Sequence, residues 1–330
     1  MVDISQPQTA SAAPPLPTAE RWYQDKRIGG LARFALAITL LNLLGHLWLG
    51  FEQSWITPLV ALAAAYGTET ALEVVAAREA RRRPRFLGEG VVGWIKFLLS
   101  AHVSALAIGM LLMPLEQLWV VAFAASAAIA SKHLFRVTIA GKARHFLNPS
   151  NFGITAALLL FPSVGIAPPY QFSEATSGAL DWLLPLLIIC TGSLLNTKFT
   201  GRIPLILAWL AAFAVQAAVR SALNGTPLLA GLVPMTGFAF VLFTFYMVTD
   251  PATSPARRGN QILFGVAVAA LYMVFMELHV VFGLFYALTC VTLLRGLWFA
   301  FDIPARLATL SGQATPCASG QPPRHTEPAE

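Results

Sequence analysis

Two short segments bring carboxamide or carboxylate side chains, hydroxyls and prolines together, and each adjoins an apolar run. The first is HFLNPSNFG, residues 145–153, and the second is TDPATSP, residues 249–255. Proline cannot donate a backbone hydrogen bond and disfavours helix at the residue before it, so each segment should break a helix. The side-chain oxygens could cap helix ends, or free N–H groups and a positive dipole end could bind an anion or polar ligand. Two such breaks favour a ligand site, whose candidate residues are Asn148, Asn151, Thr249, Asp250, Thr253 and Ser254.

The composition indicates which solvent surrounds these segments. Hydrophobic residues make up 56% of the 330 residues and charged residues 12%, and the mean hydropathy is +0.65. A soluble domain of this size cannot bury so much apolar surface, so we predict an all-α integral membrane protein in a lipid bilayer. The net charge of +6 lies mainly in short loops, which indicates membrane orientation and no nucleic-acid partner. The three cysteines lack metal-binding spacing, so no metal site is predicted.

Ten apolar runs account for most of the chain as candidate transmembrane helices. They lie at about residues 31–49, 55–77, 91–113, 118–130, 151–167, 182–195, 203–221, 228–248, 262–276 and 280–301. The fourth, sixth and ninth are shorter than about 17 residues, and short helices are tolerated in membranes only where protein or a cavity covers them. We predict one ten-helix membrane domain, residues 21–306, between disordered tails at residues 1–20 and 307–330.

The loop charges predict the orientation of these helices. With ten spans, every one of the 22 Lys and Arg residues except Arg220 falls on the side that holds both termini. The opposite side collects the acidic residues Glu52, Glu116, Glu174, Asp181 and Glu277. Because positively charged loops stay in the cytoplasm, both termini should be cytoplasmic, and the protein should span the bacterial inner membrane several times.

Ionisable side chains inside apolar runs are costly and generally have a partner or a function. Glu69 and Glu73 lie four residues apart and share a helix face near the cytoplasmic end of the second run. One interpretation pairs them with loop arginines, and the other makes them part of a cation or proton path. His102 has no second His or carboxylate three or four residues away, which favours a hydrogen-bonded interior histidine over a metal ligand.

The segments around both proline breaks resemble a known family. VTDPATSP, residues 248–255, followed by GNQILFG, residues 259–265, is similar to the TDP segment of two subunits of redox-driven ion pumps. These are the D subunit of the Rnf complex and the B subunit of the sodium-translocating NADH:quinone oxidoreductase. HFLNPSNFGI similarly resembles the Asn-Pro motif of the Rnf D subunit, and the likeness covers about residues 131–298. The segments SKHLFRV, IAPPYQFSE and DWLLP look closer to a standalone UnbU-like branch that is encoded with enediyne antibiotic pathways.

The resemblance implies a urea-transporter-like architecture of two five-helix halves and electron transfer between neighbouring subunits. Members of the family carry FMN, linked through a phosphoester to a threonine in the outward-facing motif Asp-x-x-Ser/Thr-Gly-Ala-Thr. In the corresponding loop, residues 170–180, Ser173 and Thr176 match the Ser and the flavin-bearing Thr. Tyr170 replaces the Asp and Glu174 replaces the Gly, so both FMN attachment at Thr176 and an ordinary solvated loop remain as interpretations. Flavin could also bind without a covalent bond at the two proline breaks.

Three functions remain open from the sequence. The first is a flavin-binding electron-transfer membrane protein that works beside other redox subunits and, on the branch resemblance, serves enediyne biosynthesis. The second is a flavin-free transporter or channel for a small solute, a pathway product or an ion, and the third is a scaffold for soluble pathway proteins. The sequence contains no Gly-rich nucleotide loop, nucleophile elbow or HExxH motif.

Overall fold

Helices dominate the structure, a computed structural model that describes residues 26–301 except 89, 140, 141, 169 and 173. Helices occupy all ten positions that the apolar runs predict. The tails predicted at residues 1–20 and 307–330 lie outside the described residues, as do the two termini predicted to be cytoplasmic.

The helices follow one another in two sets. The first set is α1 (Lys26–Leu44), α2 (Ile56–Glu79), α3 (Gly90–Leu111), α4 (Leu118–Leu134) and α5 (Pro149–Leu160). The second set is α6 (Leu180–Leu195), α7 (Ile203–Asn224), α8 (Leu228–Leu232), α9 (Phe238–Leu242), α10 (Arg258–Glu277) and α11 (Gly283–Ala300). The helices α1, α6 and α9 continue into π-helical turns at Gly45–Leu49, Asn196–Thr200 and Phe243–Met247, and a 3₁₀ turn at Val233–Thr236 follows α8.

Strands are few in the described part of the chain and form two antiparallel pairs. The first pair is β1 (Leu112–Met113) with β4 (Gly165–Ile166), which joins the segments that follow α3 and α5. The second is the hairpin of β2 (Arg136–Ile139) and β3 (Lys142–His145) between α4 and α5. Both pairs lie at helix ends. Each one joins loop segments, and neither forms a layer of the fold.

Length and apolar composition make this chain a multi-pass, all-α membrane protein. Among the described helices, seven are long and apolar enough to cross a bilayer. An eighth crossing is obtained when Leu228–Thr236 and Phe238–Met247, which meet at a bend of 68°, are counted as one broken span. Large apolar side chains on these helices face outward, as Leu47, Trp182 and Leu229 do, and a lipid bilayer would cover them.

Two of the three spans predicted to be short are full-length, so that prediction was wrong for them. With its π-helical turn the sixth span covers 21 residues, Leu180–Thr200, and the ninth covers 20, Arg258–Glu277. Polar residues at their ends continue each helix beyond the apolar run. The fourth span is short as predicted, with 17 residues in α4, and α5 has only 12. Both are largely buried inside the bundle, where neighbouring helices cover them.

Successive helical segments alternate in direction between two ends. We call the end formed by residues 80–88, 135–139, 142–148, 201–202 and 248–257 the basic end. There, Lys132 of α4 pairs with Glu69 of α2. The opposite end is formed by residues 50–55, 112–117, 161–168, 170–172, 174–179, 225–227 and 278–282, and Arg220 pairs there with Glu277. The charge segregation seen in the sequence therefore corresponds to two separate ends of the bundle.

The two helix sets repeat one local arrangement at opposite ends of the bundle. The π-helical turns after α1 and α6 both end at a glycine with positive φ, Gly50 at 77° and Gly201 at 64°. A buried polar side chain follows each glycine. Gln53 donates to the carbonyls of Met110 and Leu112 at the end of α3, and Arg202 donates to carbonyls of the segment that follows α9. The second and fourth segments also pack together in each set, α2 on α4 and α7 on α10.

Gly153 allows α5 to approach α4 closely. A Cβ atom at this position would overlap the carbonyl oxygen of Ala124. We therefore expect Gly153→Ala to lower the free energy of unfolding by about 1–3 kcal/mol through overpacking. Thermal unfolding in detergent would measure the change. Gly67→Ala on α2 is the matched control because nothing lies within 4 Å of its Cβ position, and it should be neutral or slightly stabilising. Equal midpoints for the two variants would contradict the close approach.

Candidate functional site

The two proline-containing segments meet at the basic end, although they are far apart in the sequence. Asn148 is the N-cap of α5, and Pro149 follows it at the first helical position. The Asn148 Oδ1 atom accepts hydrogen bonds from the Asn151 N–H and the Ser150 hydroxyl, both at 3.0 Å. Its Nδ2 donates to the carbonyl of Met247 at 3.2 Å. One side chain thus caps α5 and joins the two segments.

Asp250 organises the turn at residues 249–255. Its carboxylate accepts from the Ala252 N–H at 3.1 Å and from the Thr253 hydroxyl at 2.9 Å. Its carbonyl accepts from the N–H and the hydroxyl of Ser254, at 2.9 and 2.7 Å. The turn therefore satisfies most of its own polar groups, as buried irregular backbone must.

This turn ends the preceding helix and does not cap the following one. The Thr249 hydroxyl donates back to the Phe245 carbonyl at 2.6 Å. The next helix, α10, begins only at Arg258, and the preceding Arg257 provides no side-chain cap. The sequence pattern predicted a hydroxyl where this helix begins. The structure differs because the turn around Asp250 uses its hydroxyls locally.

Two arginines that were not singled out from the sequence cover the turn. Arg202, 6% exposed, donates from Nε to the Ser254 hydroxyl at 2.8 Å. Its Nη2 reaches the carbonyls of Ser254 and Pro251 at 3.4 and 3.5 Å. Arg295 of α11 donates from Nη1 to the Thr253 carbonyl at 2.9 Å. Arg295 lies inside an apolar run, and a charge at such a position is the signal that could have identified it.

Positive charge exceeds negative charge around the turn. Burial lowers the pKa of Arg202, the Asp250 charge raises it, and the charge of Arg144 lowers it. Arg295 lies near the positive charges of Arg144 and Arg202. Among the described residues, no carboxylate forms an ion pair with any of these three guanidinium groups. The site is therefore suited to an anionic or electron-rich ligand.

Two buried amides at this end have an acceptor atom without a protein partner. Asn151, 1% exposed, donates to the Phe285 carbonyl at 3.0 Å and to the Thr289 hydroxyl at 2.7 Å, which ties α5 to α11. Gln261, in the first turn of α10, donates to two backbone carbonyls. Neither Asn151 Oδ1 nor Gln261 Oε1 has a partner among the described residues. Such acceptors are suited to a donor group on a ligand or a water molecule.

We call Asn148, Asn151, residues 249–255, Arg202 and Arg295 the Asx-Pro cluster. It contains all six residues that the two sequence motifs offered as ligand candidates. It adds the two arginines, which come from the loop before α7 and from α11. The cluster thus combines buried hydrogen-bond donors with an excess of positive charge. It also contains Asn151 Oδ1, an acceptor without a partner among the described residues.

Thr176 lies at the opposite end of the bundle, next to an acidic residue. Its hydroxyl donates to the carboxylate of Asp181 at 2.5 Å at the start of α6. Phe172 stacks on Phe238 with the ring centroids 3.6 Å apart and anchors the loop to the bundle. Ser173, the other candidate of this loop, lies outside the described residues.

Acidic side chains lie on and beside the loop that contains Thr176. The Tyr170 hydroxyl donates to Glu52 at 3.3 Å, and the negative charge of Glu52 raises the pKa of Tyr170. Glu174 is exposed, and its negative charge also raises the pKa of Tyr170, by less than that of Glu52 does. A phosphoester on Thr176 would place further negative charge beside Asp181 and Glu174, which Coulomb repulsion disfavours.

Glu69 and Glu73 each pair with basic residues at the basic end. Glu73, almost fully buried, contacts Arg82 at 2.5 Å and Arg85 at 3.2 Å. Glu69 contacts Lys132 at 2.7 Å and lies 3.8 Å from His133. The sequence offered loop arginines as partners for both carboxylates. Glu73 has such partners, whereas Glu69 pairs with a lysine of another helix. The cation or proton path remains a hypothesis for this pair.

His102 joins three helices through both ring nitrogens. Its Nε2 lies 2.7 Å from the Thr39 hydroxyl, and its Nδ1 lies 2.6 Å from the Tyr66 hydroxyl. The Thr39 hydroxyl already donates to the Ala35 carbonyl, so the imidazole donates to it from Nε2. The histidine is therefore a hydrogen-bonded bridge between α1, α2 and α3, in agreement with the interior role expected from the sequence.

Comparisons with known proteins add no assignment to this geometry. No protein-family model matches the chain, and no curated protein matches it either. Within the described part of the chain, no three His, Cys, Asp or Glu side chains are grouped as a metal site would require.

Removal of the Asp250 carboxylate tests the central role of the turn. We expect Asp250→Ala to lower the free energy of unfolding by about 2–4 kcal/mol, because two hydrogen bonds and the negative charge nearest to buried Arg202 are lost. Asp250→Asn retains one acceptor and should cost less. Thermal unfolding in detergent would be followed by tryptophan fluorescence. Glu116→Ala, an exposed acidic residue at the opposite end, is the control, and a wild-type midpoint for Asp250→Ala would contradict the prediction.

Proposed function

We propose that this chain is a membrane electron-transfer component that holds a flavin non-covalently at the Asx-Pro cluster. The observation that carries the proposal is the contact between the two motifs on which the family resemblance rests. Asn148 and Met247 are 99 positions apart, and a side-chain hydrogen bond of 3.2 Å joins them. The contact brings buried polar side chains and two arginines to one place, and a convergence of polar groups is what a ligand site requires.

The residues of the cluster fit a flavin in two respects. The guanidinium groups of Arg202 and Arg295 are donors that suit a phosphate ester or the electron-rich edge of an isoalloxazine ring. The buried acceptor of Asn151 has no partner among the described residues and suits a ring N–H donor. A flavin supplies one- and two-electron redox chemistry, while the protein supplies binding, orientation and charge. The role of these side chains is to hold the flavin away from water.

The residues around Thr176 do not fit a covalently attached FMN. The Thr176 hydroxyl is engaged by Asp181, and the exposed carboxylate of Glu174 lies on the same loop. Tyr170 also stands where the family has the Asp that its flavin transferase should recognise. We therefore assign the flavin to the basic end and leave Thr176 unmodified.

The proposed architecture is that of the family, with ten membrane segments in two five-segment halves of opposite orientation. The paired arrangements at Gly50 with Gln53 and at Gly201 with Arg202 support this reading. A single chain without a second redox centre needs a donor and an acceptor, so we propose other redox subunits or biosynthetic pathway proteins as partners. The UnbU-like segments favour a role in an enediyne pathway.

Flavin content of the full-length protein purified from its native host tests the proposal. We expect about one flavin per chain, released on denaturation, and an intact polypeptide mass without an FMN increment. Thr176→Val should retain the flavin. Arg295→Gln should lose most of it because one guanidinium donor is removed. Arg258→Gln, which removes an exposed arginine just after the turn, is the matched control and should retain it.

Absence of flavin from the native preparation would contradict the proposal. A mass increment of FMN size that disappears in Thr176→Val would contradict the assignment of the flavin to the basic end. A folded Arg295→Gln variant with unchanged flavin content would exclude Arg295 from the site.

A flavin-free transporter is the second candidate, and one observation favours it. The segment of α8 and α9 bends by 68° at Gly237, and discontinuous helices of this kind form substrate sites in secondary transporters. Solute and ion flux in proteoliposomes would test this function. Flux that persists in flavin-free protein would favour the transporter over the electron carrier.

A further inference from the structure

A second site lies at the basic end, outside the Asx-Pro cluster. A cavity of about 430 Å³ opens between α2, α3 and α4, and the hairpin residue Arg136 forms part of its rim. This volume lies within the range of small-molecule sites. The titratable residues that line it are Glu69, Arg85, Lys96, Lys132, His133 and Arg136. None of them belongs to the Asx-Pro cluster.

The lining carries far more positive than negative charge. Four of its side chains are Lys or Arg, with His133 beside them, and Glu69 is the one carboxylate among the described lining residues. That carboxylate is engaged by Lys132, whose Nζ lies 2.7 Å from Glu69 Oε2. The neighbouring Glu73 is engaged by Arg82 and Arg85 and does not line the cavity. The lining therefore keeps a net positive charge, although Lys132 and Arg85 each have a carboxylate partner.

Two of the cationic groups, those of Lys132 and Arg85, contact neighbouring side chains of the protein. The Lys132 side chain is only 10% exposed, and its Nζ also lies 3.4 Å from the Ser100 hydroxyl. Arg85 is fixed to Glu73 through its Nε and its backbone N–H, at 3.2 and 2.8 Å. The two Nη groups of Arg85 form no hydrogen bond with another described residue. Fixed donors of this kind lose little conformational entropy when an anion binds.

We propose that this cavity binds a phosphate group. Arginine and lysine donate hydrogen bonds without accepting any, and the planar guanidinium matches phosphate oxygens. The rim residue Arg136 has an exposed side chain that can contact the anion, while Lys132, which is paired with Glu69, supplies a further N–H donor at the buried floor. A lipid headgroup and a soluble phosphate offer the same chemistry at a cytoplasmic membrane face. The site does not depend on flavin binding.

Binding of inorganic phosphate to full-length, delipidated protein in neutral detergent tests the site directly. We expect saturable binding in calorimetry, weakened about tenfold in Arg136→Gln because one charge-assisted contact is lost. Arg136→Gln changes an exposed side chain, so the fold should survive. Lys198→Gln is the matched control, since it removes one exposed positive charge at the same end without touching the cavity. It should bind phosphate as the wild type does.

Native mass spectrometry distinguishes the two sources of phosphate. Retention of phosphatidylglycerol in preference to phosphatidylcholine, reduced in Arg136→Gln, would support a lipid headgroup as the occupant. Phosphate binding without lipid preference would support a soluble phosphate compound. The proposal is overturned if neither probe binds, or if Arg136→Gln and Lys198→Gln bind both probes equally.

Discussion

The structure depends on the satisfaction of backbone polar groups where a membrane helix is broken. A bilayer offers no water to an irregular segment, so protein groups must bind its carbonyls. At the turn of residues 249–255 and just before it, three side chains from different parts of the chain do so. Asn148 binds the carbonyl of Met247, Arg295 that of Thr253, and Arg202 that of Ser254. These contacts hold the turn against α5 and α11 and bring two arginines into a largely apolar bundle.

The opposite end meets the same requirement with neutral groups. Gln53 donates to the carbonyls of Met110 and Leu112, both at 3.1 Å, where α3 passes into β1. An amide can satisfy these carbonyls without bringing a charge into the bundle, whereas an arginine adds one. At both ends side chains donate hydrogen bonds to backbone carbonyls. The donor is a neutral amide at one end and an arginine at the other, so the two ends differ in charge. Both proposed ligand sites lie at the end where arginines bind the backbone carbonyls.

The two proposed sites use positive charge in different ways. In the Asx-Pro cluster the guanidinium groups are partly occupied by backbone carbonyls, so few donors remain for a ligand and its orientation would be restricted. In the cavity lined by Lys132 and Arg136 the donors face open volume, which suits a compact anion with several acceptor oxygens. A membrane protein with fixed positive sites on one face can hold a redox group and an anion without competition between them.

The sequence by itself determined the membrane class, the helix positions and the separation of charges, because apolar runs and loop charges are local properties. It also identified the six motif residues of the Asx-Pro cluster. It did not predict Arg202 and Arg295 as their partners, the full length of the sixth and ninth spans, or the cavity between α2, α3 and α4. Those features depend on which helices become neighbours. Only the tertiary structure decided that Asn148, Arg202 and Arg295 meet at the turn around Asp250, because these side chains come from segments that are distant in the sequence.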